Sequence, residues 1–114
     1  MYARIRSRAA SGAKVAVLGY PRLFNGKTCN LGSRISSGEQ KRLNETADLL
    51  ADTTRGRAQA AGFTFVDSRA SFAGHAVCDK DEWINGLSNP ISESYHPNAK
   101  GYQGFANLVT PALR

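Results

Sequence analysis

The stretch Glu93-Ser-Tyr-His96-Pro97 places an acid three residues before a histidine that is followed directly by proline. An imidazole titrates near neutrality, so it can take a proton from a nucleophile and return it to a leaving group. Three residues of loop can bring Glu93 to one ring nitrogen of His96, fixing the tautomer and leaving the other nitrogen free for proton transfer. The same residues also read as the entry of a final helix, since proline is welcome in a first turn. A second group, His75 and Cys78 in Gly74-His-Ala-Val-Cys78, has H-x-x-C spacing and with Cys29 and His96 would make a two-cysteine, two-histidine zinc set, without a second close pair to nucleate it. Cys29 and Cys78 are otherwise two unrelated buried thiols or, in an exported chain, a disulfide restraining the unfolded state by roughly 3–4 kcal/mol. None of the ten serines lies in G-x-S-x-G, and Ser33, Ser88 and Ser94 fall in loops with nothing to activate them. The residues offer a base without a nucleophile.

The elements that must position these groups follow from periodicity and punctuation. Tyr2 to Ala10 is helix-permissive and ends at Ser11-Gly12. Lys14–Leu18 is a compact apolar run suited to a strand buried on both faces, ended by Gly19-Tyr20-Pro21. Residues 22–35 carry Asn-Gly and Leu-Gly-Ser signals and read as a surface loop holding Cys29. Ser37-Gly-Glu-Gln40 has the form of a capping box opening a long helix. Its expected apolar stripe is Leu43, Ala47, Leu50, Thr54, Ala58 and Ala61, with Gly56 a local cost and Gly62 the stop. Phe63–Asp67 is a second strand, completing a βαβ unit with two parallel strands. Residues 68–95, including Phe72, Trp83, Asn85-Gly86 and Asn89-Pro90, read as a long loop of the kind that encloses ligands past the ends of parallel strands. Asn98 to about Leu113 is the last helix, with Tyr102, Phe105, Ala106 and Val109 as its expected buried stripe.

A length of 114 residues admits one small domain, 1–114, and no run is long and apolar enough to cross a membrane; no signal peptide is visible. The net charge of +6 lies wholly in the first half, where the cations are spaced singly, as on a solvated basic face rather than a nucleic-acid footprint.

In order along the chain, VAVLGYPRLF, Cys29, LNETADLLADTTRGRAQAAGFTFVD, FAGHAVCDKDEWINGL and SYHPNAKGY resemble the second half of an SGNH hydrolase, the GDSL lipase/esterase family, of the secreted actinobacterial type. The resemblance implies an α/β fold, the C-terminal part of a flavodoxin-like three-layer α/β/α sandwich with parallel strands, and hydrolysis of an ester or lipid substrate without a cofactor. It places His96 as the histidine of the family's closing D-x-x-H motif and Glu93 at the aspartate position, a departure that leaves either Glu93 or a backbone carbonyl of that loop to orient the ring. It pairs Cys29 with Cys78 in a disulfide, and makes Trp83, Ile84 and Leu87 either acyl-pocket wall or core. Phe72 and His75 resemble loop residues beside the family's active site, without an assignable role. The family's G-D-S, oxyanion glycine and G-x-N-D motifs precede the matched region and are absent from these residues. The chain alone is therefore expected to be inactive, with the missing N-terminal half as a partner, the parent secreted, and the first strand showing an unpaired apolar edge. The alternatives are a noncatalytic basic-surface interaction module and a small zinc domain.

Overall fold

The computed structural model describes residues 1–29 and 34–114; Asn30 to Ser33, within the loop expected over 22–35, lie outside the described residues. The order of elements is α1 (Tyr2–Arg8), β1 (Ala16–Leu18), α2 (Ser37–Ala60), β2 (Thr64–Val66), a 3-10 turn (Ile91–Glu93) and α3 (Ala99–Ala112). The strands are parallel neighbours in the register Ala16–Thr64, Val17–Phe65 and Leu18–Val66, so the expected βαβ unit is present. Helix α2 packs on β2, and α3 packs on both strands. Among the described residues β1 has no strand on its other edge.

Helix α2 starts one residue earlier than the sequence pattern suggests. The N-cap is Ser36, whose hydroxyl accepts from the Glu39 backbone N–H while the Glu39 carboxylate accepts from the Ser36 N–H, closing a capping box that was expected at Ser37 and Gln40. Hydrogen bonds to the carboxylate from the Ser36 hydroxyl and then from its N–H hold the Glu39 carboxyl below its ordinary range. The one-residue shift frees Gln40 for another task, and that task displaces Leu43 and Leu50 from the expected stripe, of which Ala58 is buried as expected.

Leu43 and Leu50 are about half exposed, at 47% and 53%, while Gln40 is 4% exposed and Ala51 and Ala58 are buried. The face turned inward is built on Gln40, Asn44, Asp48, Ala51 and Ala58, because what crosses it is not an apolar surface but the extended backbone of residues 22–27. Gln40 accepts from the Gly26 N–H at 3.0 Å and donates to the Lys27 carbonyl at 2.9 Å. One turn on, the Asn44 side chain donates to the Phe24 carbonyl at 2.8 Å and accepts from its N–H at 3.3 Å, as a neighbouring strand would. The next turn presents Asp48 to the Arg22 guanidinium at 2.6 Å. Leucines on this face would have left the half-buried backbone groups of Phe24, Gly26 and Lys27 without these partners.

The ladder continues in charge beyond Asp48. Arg69, just past β2, meets Asp67 at 2.7 Å and Asp52 at 2.9 Å, and Arg55 also pairs with Asp67. Hydrogen bonds from Arg69 hold the Asp67 carboxyl down at about 2. Ser68, fully buried between these charges and the sheet, donates its hydroxyl to the Gly19 carbonyl at 2.6 Å and locks the two strand ends together.

The principal apolar cluster does not lie between helix and sheet. It consists of Phe24, Phe72, Val77 and Ile84, with Trp83, Tyr95, Phe105 and Leu108 packed around them. The stretch 68–95, read from sequence as a wandering loop, thus supplies three of the four buried residues of this cluster.

Two measurements check this account. Asp67→Asn should lower stability to denaturant by about 1–2 kcal/mol at neutral pH, the carboxylate being partly solvent-screened. Because the folded-state value is depressed, that contribution is complete above the unfolded carboxylate's range and vanishes as pH falls from about 4 through about 2, so the variant's stability should decline less than the parent's over that interval. Gly56 faces open space on α2, so Gly56→Ala should raise stability by up to about 1 kcal/mol, read as a higher denaturation midpoint.

Candidate active site

His96 lies on the exposed loop between the 3-10 turn and α3. The helix N-cap is Asn98, whose side-chain oxygen accepts from the Lys100 and Gly101 N–H groups at 3.0 and 3.1 Å. Pro97 is consequently outside the helix rather than in its first turn, and forms an antiparallel bridge with Ile84. The segment 83–85 is the template against which the histidine loop is laid. The Asn98 N–H donates to the Trp83 carbonyl, the Asn85 N–H to the His96 carbonyl, both at 2.9 Å, and the Tyr95 N–H to the Asn85 carbonyl at 3.1 Å. The Asn85 side chain adds a bond to the Glu93 carbonyl at 3.1 Å, and the Asn98 side chain one to the Glu82 carbonyl at 2.8 Å.

These bonds hold Tyr95 at φ of 61°, a left-handed conformation that costs a residue with a side chain of order 1–3 kcal/mol. The turn it makes sends the Tyr95 ring inward against Phe24, with centroids 5.8 Å apart, and leaves the next side chain, His96, outside.

The imidazole stands at the junction of two clefts. One, of about 370 Å³, is mainly apolar and is walled by Leu18, Gly19, Tyr20, Pro97, Tyr102 and Phe105. Gly19 and Tyr20 directly follow β1, so this cleft opens past the carboxyl end of a parallel strand, where open α/β sheets place ligands. The other cleft is polar and includes Asn85, Ser92, Glu93 and Asn98. A larger cleft between α1 and the last turns of α2, lined by Tyr2, Thr54, Arg57 and Ala61 among others, contains no histidine, cysteine or carboxylate.

Glu93 is brought into the same loop as His96, but among the described residues its carboxylate makes no ion pair or hydrogen bond with the imidazole. Its backbone carbonyl accepts from the Asn85 side chain and from the His96 N–H. Tyr102 and Ala106, expected in the buried stripe of α3, face outward. The buried positions are Gly101, against the Trp83 backbone and Pro97, and Gly104, against the Trp83 indole. An added Cβ at Gly101 would collide with the Trp83 carbonyl, and one at Gly104 would stand 2.5 Å from the indole. Phe72 and Ile84 are fully buried and Leu87 is 40% exposed, so Ile84 is core rather than cleft wall.

Cys29 and Cys78 form a disulfide with Cα atoms 5.5 Å apart, tying the loop after β1 to the loop after β2. That bond removes both thiolates from the zinc set considered from sequence, and among the described residues no cluster of metal-ligating side chains forms. His75 is instead stacked face to face on Trp83, with ring centroids 3.8 Å apart and planes 9° from parallel. Asp81 lies beside this stack and pairs with Lys100, whose ammonium is the main reason its carboxyl is held below the usual range.

Compared with known proteins, the chain is 39% identical over 115 residues to a lipase of Streptomyces rimosus, covering 96% of this chain and 42% of the relative. It is 40% identical over 108 residues to Lipase 1 of Streptomyces coelicolor, covering 91% and 38%. Among solved structures, the extracellular lipase of Streptomyces rimosus superposes with a TM-score of 0.87 at 37% identity, and phospholipase A1 of Streptomyces albidoflavus with 0.88 at 33%. Each superposition covers 97% of this chain and 47% of the other. The chain shares the α/β fold of these lipases. It spans less than half of their length. No protein-family model matches it.

Asn85 carries more of the loop's geometry than any residue singled out from sequence, where Asn85-Gly86 read only as a turn signal. Gly101→Ala tests the seat of this ribbon. Overpacking against the Trp83 backbone should cost about 1–3 kcal/mol, measured as a lowered denaturation midpoint.

Proposed function

We propose that this chain carries the histidine arm of a serine esterase or lipase of the SGNH (GDSL) type, with His96 as general base and then general acid. The observation that carries this reading is the placement of His96: exposed on a braced loop, at the edge of an apolar cleft past the end of β1. The similarity to Streptomyces lipases supports ester hydrolysis as the chemistry.

In the proposed reaction the imidazole removes the proton of a serine hydroxyl as the oxygen attacks the ester carbonyl. The resulting imidazolium protonates the departing alkoxide as the tetrahedral intermediate collapses to an acyl-enzyme. Water attacks the acyl group with the same histidine as base, releasing the acid. The apolar cleft at His96 suits the hydrocarbon part of a lipid ester, and one ring nitrogen must be held by Glu93 or by a backbone carbonyl of the 93–96 loop. The serine and the oxyanion donors are not supplied by these 114 residues, so the chain by itself should not turn over esters. A disulfide and the similarity to an extracellular lipase both fit an exported parent.

The purified chain should show no turnover of a short-chain nitrophenyl ester above the uncatalysed rate. Refolded together with the remaining, N-terminal portion of the Streptomyces rimosus lipase, it should gain activity that falls at least about 10³-fold in His96→Ala. Activity indifferent to that substitution would defeat the assignment. Glu93→Gln separates the two orienting groups: a loss comparable to His96→Ala points to the carboxylate, and retained turnover points to a carbonyl.

A further inference from the structure

His75 has no part in the reaction as proposed, yet it is one of only two histidines and is bound on three sides. Its Nδ1 lies 2.8 Å from the Asp81 carbonyl. A carbonyl only accepts, so Nδ1 carries the proton and the ring's rotation about Cβ–Cγ is set. Its backbone carbonyl accepts from the Trp83 N–H at 2.9 Å, so the turn 75–83 is closed through both main chain and side chain. Its ring face lies flat on the indole of Trp83.

Two further neighbours confine that indole. Gly104 of α3 comes so close that no side chain fits, and Phe72 meets the indole edge-on at a centroid distance of 5.2 Å. The indole is therefore in contact with both His75 and α3. From Trp83 the connection to His96 is short. The Trp83 carbonyl receives the Asn98 N–H, Ile84 bridges Pro97, and the Asn85 N–H donates to the His96 carbonyl. A shift of Trp83 toward the space His75 now fills would carry residues 83–85 with it, and the backbone of His96 is bonded to those residues.

We infer that His75 is a positioning residue for His96, acting through its stack on Trp83 rather than through charge or proton transfer. The significance for catalysis rests on the reading of His96 as the general base; the coupling itself does not. Its function would be to keep the imidazole within the narrow range of positions from which proton transfer is possible.

The experiment uses the full chain and no substrate. With two histidines, the ring Cε1–H region of a ¹H–¹³C spectrum holds two signals, and His75→Ala assigns the survivor to His96. In His75→Ala the His96 signal should move by more than its linewidth. Hydrogen exchange at the Asn85 and Asn98 amides should quicken at least about tenfold, while Val17 and Phe65 in the sheet keep their rates. His75→Phe retains a flat ring but no ring nitrogen, and should return the His96 signal and both exchange rates to their parent values. Gly104→Ala presses on the indole from α3 and should displace the His96 signal too, which decides the matter if His75→Ala does not fold. An unmoved His96 signal in both His75→Ala and Gly104→Ala overturns the inference. So does a His75→Phe chain as perturbed as His75→Ala, since the stack would then not be the agent. Hydrolysis is not measured here, so the coupling can fail while His96 still proves to be the base, and it can hold while the complemented chain stays inactive.

Discussion

Buried backbone in this chain must be hydrogen-bonded although, among the described residues, only two three-residue strands are available to do it. The rest of the architecture depends on how that constraint is met. Side-chain amides take the place of missing strands: Gln40 and Asn44 pair with residues 24–27, and Asn85 and Asn98 bind the carbonyls of Glu93 and Glu82. A primary amide has one acceptor and two donors, so it can reproduce both halves of a backbone pairing from a helix or a turn. The first pair of amides sets the course of the chain after β1, which delivers Tyr20 to the apolar cleft. The second pair sets the course of the loop that delivers His96 to it.

Charge and covalency finish what the amides begin. Asp67 follows β2 directly and draws Arg55 from α2 and Arg69 from the next loop onto one carboxylate, so the end of the second strand is tied to the helix that precedes it. The disulfide performs the equivalent joining at the far side of the two loops, beside the bridge between Phe24 and Val77. Between these ties lies the aromatic cluster that supports the histidine loop. The short strands fix direction and order, and the loops beyond them supply both the core and the candidate site.

The parts of this arrangement that were legible in the sequence are those governed by local rules. A βαβ unit announces itself through an apolar run, a cap, a long helix and a β-branched run, and its parallel register follows. The cysteine pairing became legible, and His96 was singled out as a candidate, through the order of several short motifs, none decisive alone. The inward face of α2 was not legible, because periodicity counts apolar residues and this helix buries Gln40 while exposing Leu43 and Leu50. Nor was the inward face of α3, where the deciding fact is the close approach of Trp83, by its backbone at Gly101 and its indole at Gly104, from eighteen or more positions earlier. Asn85 was hidden for a similar reason: an Asn-Gly pair has the same letters whether it merely turns the chain or also clasps a distant loop.

Trp83 is the only tryptophan in the chain, and its indole is enclosed by His75, Phe72 and Gly104 in the same ribbon that bears His96. When excitation selects tryptophan over the four tyrosines, the emission therefore originates at one place, next to the histidine loop. Any event that loosens that loop, whether a partner strand, a bound lipid or reduction of the disulfide, writes its signature on a single built-in fluorophore, and the molecule needs no added label to be watched.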